Sequence, residues 1–292
     1  MIDVRPSRHD FVVEVRGLDT ARALTPDQVR FVEDQMDWFA VVIFKEQANL
    51  SDDAQLAFSK RFGRLHASIT TNRTDMDRRL QRDELSDISN IDRAGKTLPP
   101  DHSRRLQQRA NLLWHTDNSF RAPAGLYTVL GARIVTPVGG ETEFADARAA
   151  YDALPETMRQ RIDGLQVEHS LAHSRHLAGT GGVFDREEAQ RFPATVQPLV
   201  RVQERTGRRA LYIGSHAWRV VGWSYEDSQA LLRELLEFTT QDRFVHRHSW
   251  SMGDLVMWDN RVTLHRGLPF DDVRHQRDLR RTSLMLDSDL TP

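Results

Sequence analysis

The sequence predicts a mainly β fold, a sandwich or jelly-roll barrel carrying helices on its outside. Three observations point there. From Asn111 onward the chain is a series of short apolar runs punctuated by Gly, Pro and Asp/Asn turns, the pattern of closed or layered β architectures. One amphipathic helix, with Leu231, Leu232, Leu235 and Leu236 on a single stripe, interrupts that series. No repeat, linker or low-complexity segment divides the 292 residues, so one domain over 1–292 is expected.

Each element has a local reason. "FVVEVRGLD" (11–19) alternates apolar and polar residues up to a Gly turn, as a half-buried strand does. Thr25 as N-cap and Pro26 at the first helical position open a helix carrying Val29, Phe31, Val32 and Met36. "AVVIF" (40–44) predicts a short buried strand, and "LSDDAQLAFSKRFG" a second capped helix closed by Gly63. Residues 66–110 are charged and broken by "LPPD", which predicts a long surface loop or lid around a short strand at "LSDISNI". "YTVLGARIVTP" is a strand stopped by Pro137, and "GGETEFADARAAYDAL" runs from a Gly-Gly turn through a strand into a helix. Further strands are expected at "QVEHSL", "QPLVRVQ", "RALYIG", "RFVHRHSW", "DLVMWDN" and "RRTSLML".

Composition narrows the chemistry. Lys plus Arg number 40 against 42 Asp plus Glu, and the signs are interspersed. That balance gives no electrostatic footprint for nucleic acid or an anionic membrane. The chain has no cysteine, which excludes disulfides, zinc ribbons, iron–sulfur clusters and thiol nucleophiles. A bound metal would have to be held by His, Asp or Glu, ligands that suit Fe(II), Mn or Zn. "MIDVRPSRHD" lacks an apolar signal core, and no run approaches the roughly 20 apolar residues of a spanning helix. A cytoplasmic location is expected.

In "NLLWHTDNSF" (111–120), His115 and Asp117 would project to one face if the segment is extended. A solvated edge would explain so short a match as well, and a metal needs a third ligand from a neighbouring strand. His169, His173 and His176 fit a solvated helix or loop face, with only Glu168 as a nearby carboxylate. His246 and His248 of "FVHRHSW" share a strand face and are a rival, although a charged exterior face explains them equally. His265 of "GDLVMWDNRVTLHRG" follows an apolar strand and a polar turn. Two histidines and a carboxylate with open positions are the ligand set of non-haem Fe(II) oxygenases.

Together "FSKRFG", "DISN", "LWHTDNSF", "GGETEFADARAAYDALP", "LYIGSHA", "GDLVMWDNRVTLHRG" and "RDLRRTS" span nearly the whole chain. They resemble the taurine/2,4-dichlorophenoxyacetate dioxygenase (TauD/TfdA) family, Fe(II)- and 2-oxoglutarate-dependent oxygenases on a cupin-like double-stranded β-helix. The aryloxyacetate branch is the most similar. The resemblance implies that His115, Asp117 and His265 bind Fe(II), and that Thr142 and Arg277 hold the distal carboxylate of 2-oxoglutarate. It gives Arg281 the substrate's anionic group and places His216, Lys96 and Ser119 along the substrate pocket. Halogenating relatives carry a small residue where this chain has Asp117, so hydroxylation is implied. An arginine suits the cosubstrate carboxylate because its planar fork bonds bidentately.

Two features depart from the family pattern. The last basic segment is one residue longer, so Arg280 competes with Arg277, and matching "RDLRRTS" as a block favours Arg277 and Arg281. A lysine of the aryloxyacetate branch has no counterpart in "HASITTN". The implied partners are O2 and a small anionic organic substrate, foremost an aryloxyalkanoate cleaved to a phenol with release of succinate and CO2. An alkylsulfonate or sulfate ester, or a carboxylate hydroxylated without cleavage, are the alternatives. A homo-oligomer is expected. Outside the class, a non-catalytic metal-binding jelly roll or a zinc hydrolase could use the same ligands.

Overall fold

A computed structural model describes residues 1–47, 49–70, 78–181 and 190–286. Its larger wall is a seven-stranded sheet in the spatial order Asp3–Pro6, Val12–Arg16, Val41–Phe44, Leu255–Asp259, Gly125–Ile134, Asp278–Met285, Ser86–Ser89. Period-two alternation sorts its side chains. Val13, Val15, Val42, Phe44, Leu255 and Met257 face a cluster closed by Val32, Met36 and Phe58 from two helices. Val12, Val41, Ile43, Val256 and Trp258 face the opposite way, where Phe144 meets them from a smaller sheet. That sheet sets Thr142–Asp146 between Val245–His248 and Thr263–Gly267. The fold is a double-stranded β-helix, and its interior between these walls is where the site lies.

Helices lie against the outside for the reasons their sequences give. Pro26–Phe39 starts with a reciprocal capping box: Thr25 accepts from the Gln28 N–H, and the Gln28 side chain accepts from the Thr25 N–H. Ser51 caps Asp52–Ser59, which ends four residues before Gly63. Tyr225–Thr239 buries Leu231, Leu232 and Leu235 against the helix Ala147–Ala153 and the strand Ala217–Val220. No helix among the described residues is long and apolar enough to cross a membrane.

The segment 66–110 is more structured than its charge suggests. The expected strand forms at Ser86–Ser89 and pairs with the start of Asp278–Met285. A helix, Ser103–Gln108, stands where only loop is expected. The reason is that its charges are paired rather than solvated. Arg79 bridges Asp87 and Asp278 at 2.8 and 2.6 Å, and Arg104 pairs with Asp87 from the other side. Residues 71–77 of the expected lid lie outside the described residues. The strands Asp3–Pro6 and Ala217–Val220 and the helix Glu156–Ile162 are further additions.

Two buried histidines make stability depend on acid. His169 is fully buried, and its ring stacks on Tyr212 at 5.2 Å. Burial, helped by Arg201, pushes its pKa down to about 3; burial and Arg121 push His66 down to about 4. Between those values and the unfolded value near 6.5 the unfolded chain binds the protons that the folded chain does not. Stability therefore falls as pH drops from about 6.5 to 4, by up to about 1.4 kcal/mol per pH unit for each group. Urea unfolding at pH 7 and pH 5 should show the loss, and His169→Gln should reduce the difference. An unchanged pH difference in that variant would remove His169 from this account.

Candidate active site

The first ligand is fixed by a two-residue ladder. The His115 N–H donates to the His265 carbonyl at 3.0 Å, and the His265 N–H donates back to His115 at 2.8 Å. This isolated pairing replaces the extended strand that the His-x-Asp spacing suggests. Beyond it the chain turns: the Asp117 N–H donates to Asn260 Oδ1 at 3.1 Å, and Asn118 takes φ 57°. His115 and Asp117 still converge. Ligand atoms of His115, Asp117 and His265 all lie within 4.8 Å of one another, and all three residues are buried. The Asp117 carboxylate is 3.8 Å from His115 Nε2 and 3.6 Å from His265 Nε2.

Close backbone approach holds this geometry. A Cβ on Gly214, at φ 120°, would stand 2.9 Å from His115 Cα, and one on Gly125 would stand 2.4 Å from the Asp117 carbonyl oxygen. Only glycine fits either position without displacing a ligand.

Protonation suits metal binding. Burial, with the neighbouring charges of Arg281 and other groups, keeps the pKa values of His115 and His265 below the ordinary histidine value. Burial works to raise the pKa of Asp117, but Arg281, the two histidines and Thr128 hold it well below the usual carboxylate range. Two neutral imidazoles and an ionised carboxylate are the ligating forms. His115 Nδ1–H donates to the Leu113 carbonyl at 2.7 Å, which leaves Nε2 as the free lone pair. Asp117 Oδ2 accepts from Thr128 at 2.8 Å and Oδ1 accepts from Arg281 at 2.7 Å.

Asn260 and Thr128 are functional residues that the sequence did not single out. Asn260 Oδ1 accepts from the Asp117 N–H and from the Trp258 indole, while its amide donates to Thr128 at 2.9 Å. The signal was present as a polar Asp-Asn pair ending the apolar run "LVMW". The rival histidines do not assemble. His248 pairs with Asp254 at 3.2 Å, His169 is enclosed alone, and His115–Asp117–His265 is the ligand group found among the described residues.

A cavity beside the metal ligands is lined by His115, Thr142, Trp258, His265, Arg277 and Arg281. Arg277 Nη2 donates to the Gly140 carbonyl at 3.0 Å and has no carboxylate partner among the described residues. Burial alone pulls its pKa down to about 10. Thr142 Oγ1 accepts from the Trp250 indole at 3.0 Å, so its hydroxyl proton can be donated into the cavity. Arg280 points to the other face of the strand, where it pairs with Asp52 and Asp278.

A second cavity beside the ligands is lined by Asn111, His115, Asp117, Arg175, His216 and Arg281. His216 stands there with its ring 4.8 Å from Phe120. Ser119 is fully buried and reaches that cavity through His216, its hydroxyl 3.4 Å from Nδ1. Lys96 does not join them. It sits in an exposed turn whose Ala94 and Lys96 N–H groups both donate to Asp92 at 2.8 Å, and it lines none of these cavities.

A buried His–Asp–His centre between the walls of a double-stranded β-helix, with a buried arginine that has no carboxylate partner among the described residues lining the cavity beside it, defines a non-haem iron oxygenase. Residues 3–283 match the family described as taurine catabolism dioxygenase TauD, TfdA family, and the chain belongs to this family of Fe(II)- and 2-oxoglutarate-dependent dioxygenases. It is 44% identical to an α-ketoglutarate-dependent 2,4-dichlorophenoxyacetate dioxygenase of Burkholderia sp. (strain RASC), over 94% of this chain and 91% of that one. An (S)-phenoxypropionate/α-ketoglutarate dioxygenase of Sphingobium herbicidovorans is 33% identical over 92% and 90%. A solved structure of AAD-2 in complex with Mn(II) and N-oxalylglycine superposes with a TM-score of 0.88 at 40% identity, covering 98% of this chain and 97% of that one.

Proposed function

We propose that this dioxygenase hydroxylates an aryloxyalkanoate at the carbon beside its ether oxygen. One observation carries the proposal: two cavities adjoin the His–Asp–His centre, one lined by Arg277 and Arg281 and the other by Arg281 without Arg277, which gives one anion site for the cosubstrate and one for the substrate. The likeness to aryloxyacetate and phenoxypropionate dioxygenases supports this substrate class.

Fe(II) with 2-oxoglutarate and O2 supplies the oxidising power, giving succinate, CO2 and a hydroxylated carbon. The protein's residues do the positioning. Arg277 and Thr142 hold the distal carboxylate of 2-oxoglutarate, and N-oxalylglycine, its amide analogue, bound to a close structural neighbour supports that role. Arg281 holds the substrate's anion. Ile69, Leu80, Leu85 and Ile88 of the adjoining outer cavity take the ring. A hydroxyl placed beside the ether oxygen forms a hemiacetal, which collapses to a phenol and a carbonyl acid. The outer cavity draws its walls from the segment 66–110, which acts as its lid. Cytoplasmic location and homo-oligomeric assembly complete the proposal.

Succinate release over a panel of aryloxyacetates, aryloxypropionates, alkyl sulfonates and sulfate esters tests it. Aryloxyalkanoates should be turned over fastest, with phenol as the product; a sulfonate or sulfate ester leading the panel would replace this substrate class. Arg281→Ala should lower kcat/KM for the accepted acid by about 30-fold or more, the scale of losing one partner of a buried charge pair. It should also raise succinate formed without oxidised product, because a loosely held substrate misses the oxidant. Unchanged coupling in that variant would place the anion's handle elsewhere.

A further inference from the structure

We infer that Trp250 is a positioning residue for the cosubstrate, whose indole N–H turns the Thr142 hydroxyl proton toward the distal carboxylate of 2-oxoglutarate. The inference rests on the proposal that Thr142 and Arg277 hold that carboxylate. Thr142 is buried and opens the central strand of the smaller sheet, opposite His248 on one side and Gly267 on the other. Trp250 follows the strand Val245–His248, and its ring packs against the cluster that includes Phe144 and Trp258. Its Nε1–H donates to Thr142 Oγ1 at 3.0 Å.

An indole has one donor and no acceptor, whereas a threonine hydroxyl has one proton and two lone pairs. Trp250 therefore occupies a lone pair and cannot take the proton. Among the described residues the Thr142 hydroxyl has no other hydrogen-bond partner, so its proton is left for the cavity that His265 and Arg277 also line. An ionised carboxylate only accepts, which makes the direction of that one proton decisive. The indole bond also polarises the hydroxyl and strengthens what it donates. Without the indole the hydroxyl is free to turn, and its lone pairs rather than its proton can meet the anion.

Trp250 is in turn held by a buried ion pair outside the site. The fully buried Asp254 accepts from the Ser251 N–H and from Lys45 Nζ, each at 2.9 Å. Its own N–H donates back to the Ser251 carbonyl at 3.0 Å, so the turn that begins right after Trp250 is closed from both ends. On the preceding side, the His248 ring meets the indole edge-on at 4.6 Å. The residue that aims Thr142 is thus fixed from both directions along the chain.

Calorimetric titration of 2-oxoglutarate and of 2-oxopentanoate, which lacks the distal carboxylate, into the anaerobic Fe(II)-loaded enzyme tests this. Trp250→Phe keeps a ring for the core to pack on and removes the donor. Trp250→His puts a ring N–H where the indole N–H lies. The phenylalanine variant should bind 2-oxoglutarate about 3- to 10-fold more weakly, the scale of one hydrogen bond, and the histidine variant should recover part of that loss. 2-Oxopentanoate should bind the wild type and both variants within about twofold, because it never meets the Thr142 hydroxyl. In a Thr142→Val background, Trp250→Phe should cost nothing further, since the group it acts on is gone. Unchanged 2-oxoglutarate affinity in Trp250→Phe, with Thr142→Val impaired, would overturn the inference and leave the carboxylate at Thr142. An equal loss for both keto acids, or a loss that persists in the valine background, would also overturn it, because Trp250 would then act through packing. A Thr142→Val enzyme that binds 2-oxoglutarate as the wild type does would overturn both the inference and the reading beneath it.

Discussion

Asp117→Ala is expected to fold and to lose both Fe(II) and turnover. Asp117 is the only anionic ligand of the three, and its carboxylate is already ionised by Arg281, the two histidines and Thr128. Removing it takes away one of three protein bonds and the charge that offsets the cation. The loss should exceed that of Asn260→Ala, which breaks the support behind the ligand and should cost about 10- to 100-fold in metal affinity. Anaerobic Fe(II) titration measures the affinities directly. Thermal melting gives an independent readout, because a metal that binds only the folded state raises Tm by an amount that grows with the logarithm of its affinity. Added Fe(II) or Mn(II) should raise the Tm of the wild type, raise that of Asn260→Ala less, and leave that of Asp117→Ala unmoved. His115→Ala and His265→Ala should behave like Asp117→Ala. If all three kept iron and activity, the metal would sit elsewhere. His246 and His248 would then be the residues to examine, although Asp254 already pairs with His248.

The difference between what periodicity shows and what it hides is plain around this carboxylate. Unbroken apolar runs such as "VVIF" and "LVMW" are a local property, so these strands, buried on both faces, were legible. The ligands were legible because their residue types and order are those of a known family. What sets Asp117 in place was not, since Asn260 reaches it across 143 positions of chain and no spacing rule spans that distance. Charge was the most misleading signal. Arg79, Arg104 and Asp87 look like the residues of a solvated loop, yet they are paired against the sheet edge. Arg175, inside "HSRHLAG", looks like part of an exposed basic face and is buried at a cavity wall. Lys96 shows the reverse: family position suggested a pocket, and an Asp92-centred turn holds it in solvent.

The arginines of "RDLRRTS" are separated by a kinetic experiment. Arg277→Ala should raise KM for 2-oxoglutarate with a smaller change in KM for the organic substrate. Its guanidinium faces the cavity beside Thr142 and His265, and nothing anionic among the described residues offsets its charge. A buried cation without a countercharge is costly unless a guest supplies one. Truncating one side of such a pair costs roughly 2–5 kcal/mol, or about 30- to 5000-fold in apparent affinity. Arg277→Lys should recover part of that loss, since an ammonium keeps the charge and lacks the two-pronged geometry. Arg280→Ala is the control. Successive side chains of a strand point to opposite faces, and Arg280 is turned away from the site toward Asp52 and Asp278. Its loss should cost about 1 kcal/mol of stability or less, as for other partly exposed pairs, and leave KM for 2-oxoglutarate unchanged. A large cosubstrate defect in Arg280→Ala, with Arg277→Ala near normal, would shift the register of this segment by three residues. It would also require the strand Asp278–Met285 to present its other face to the metal.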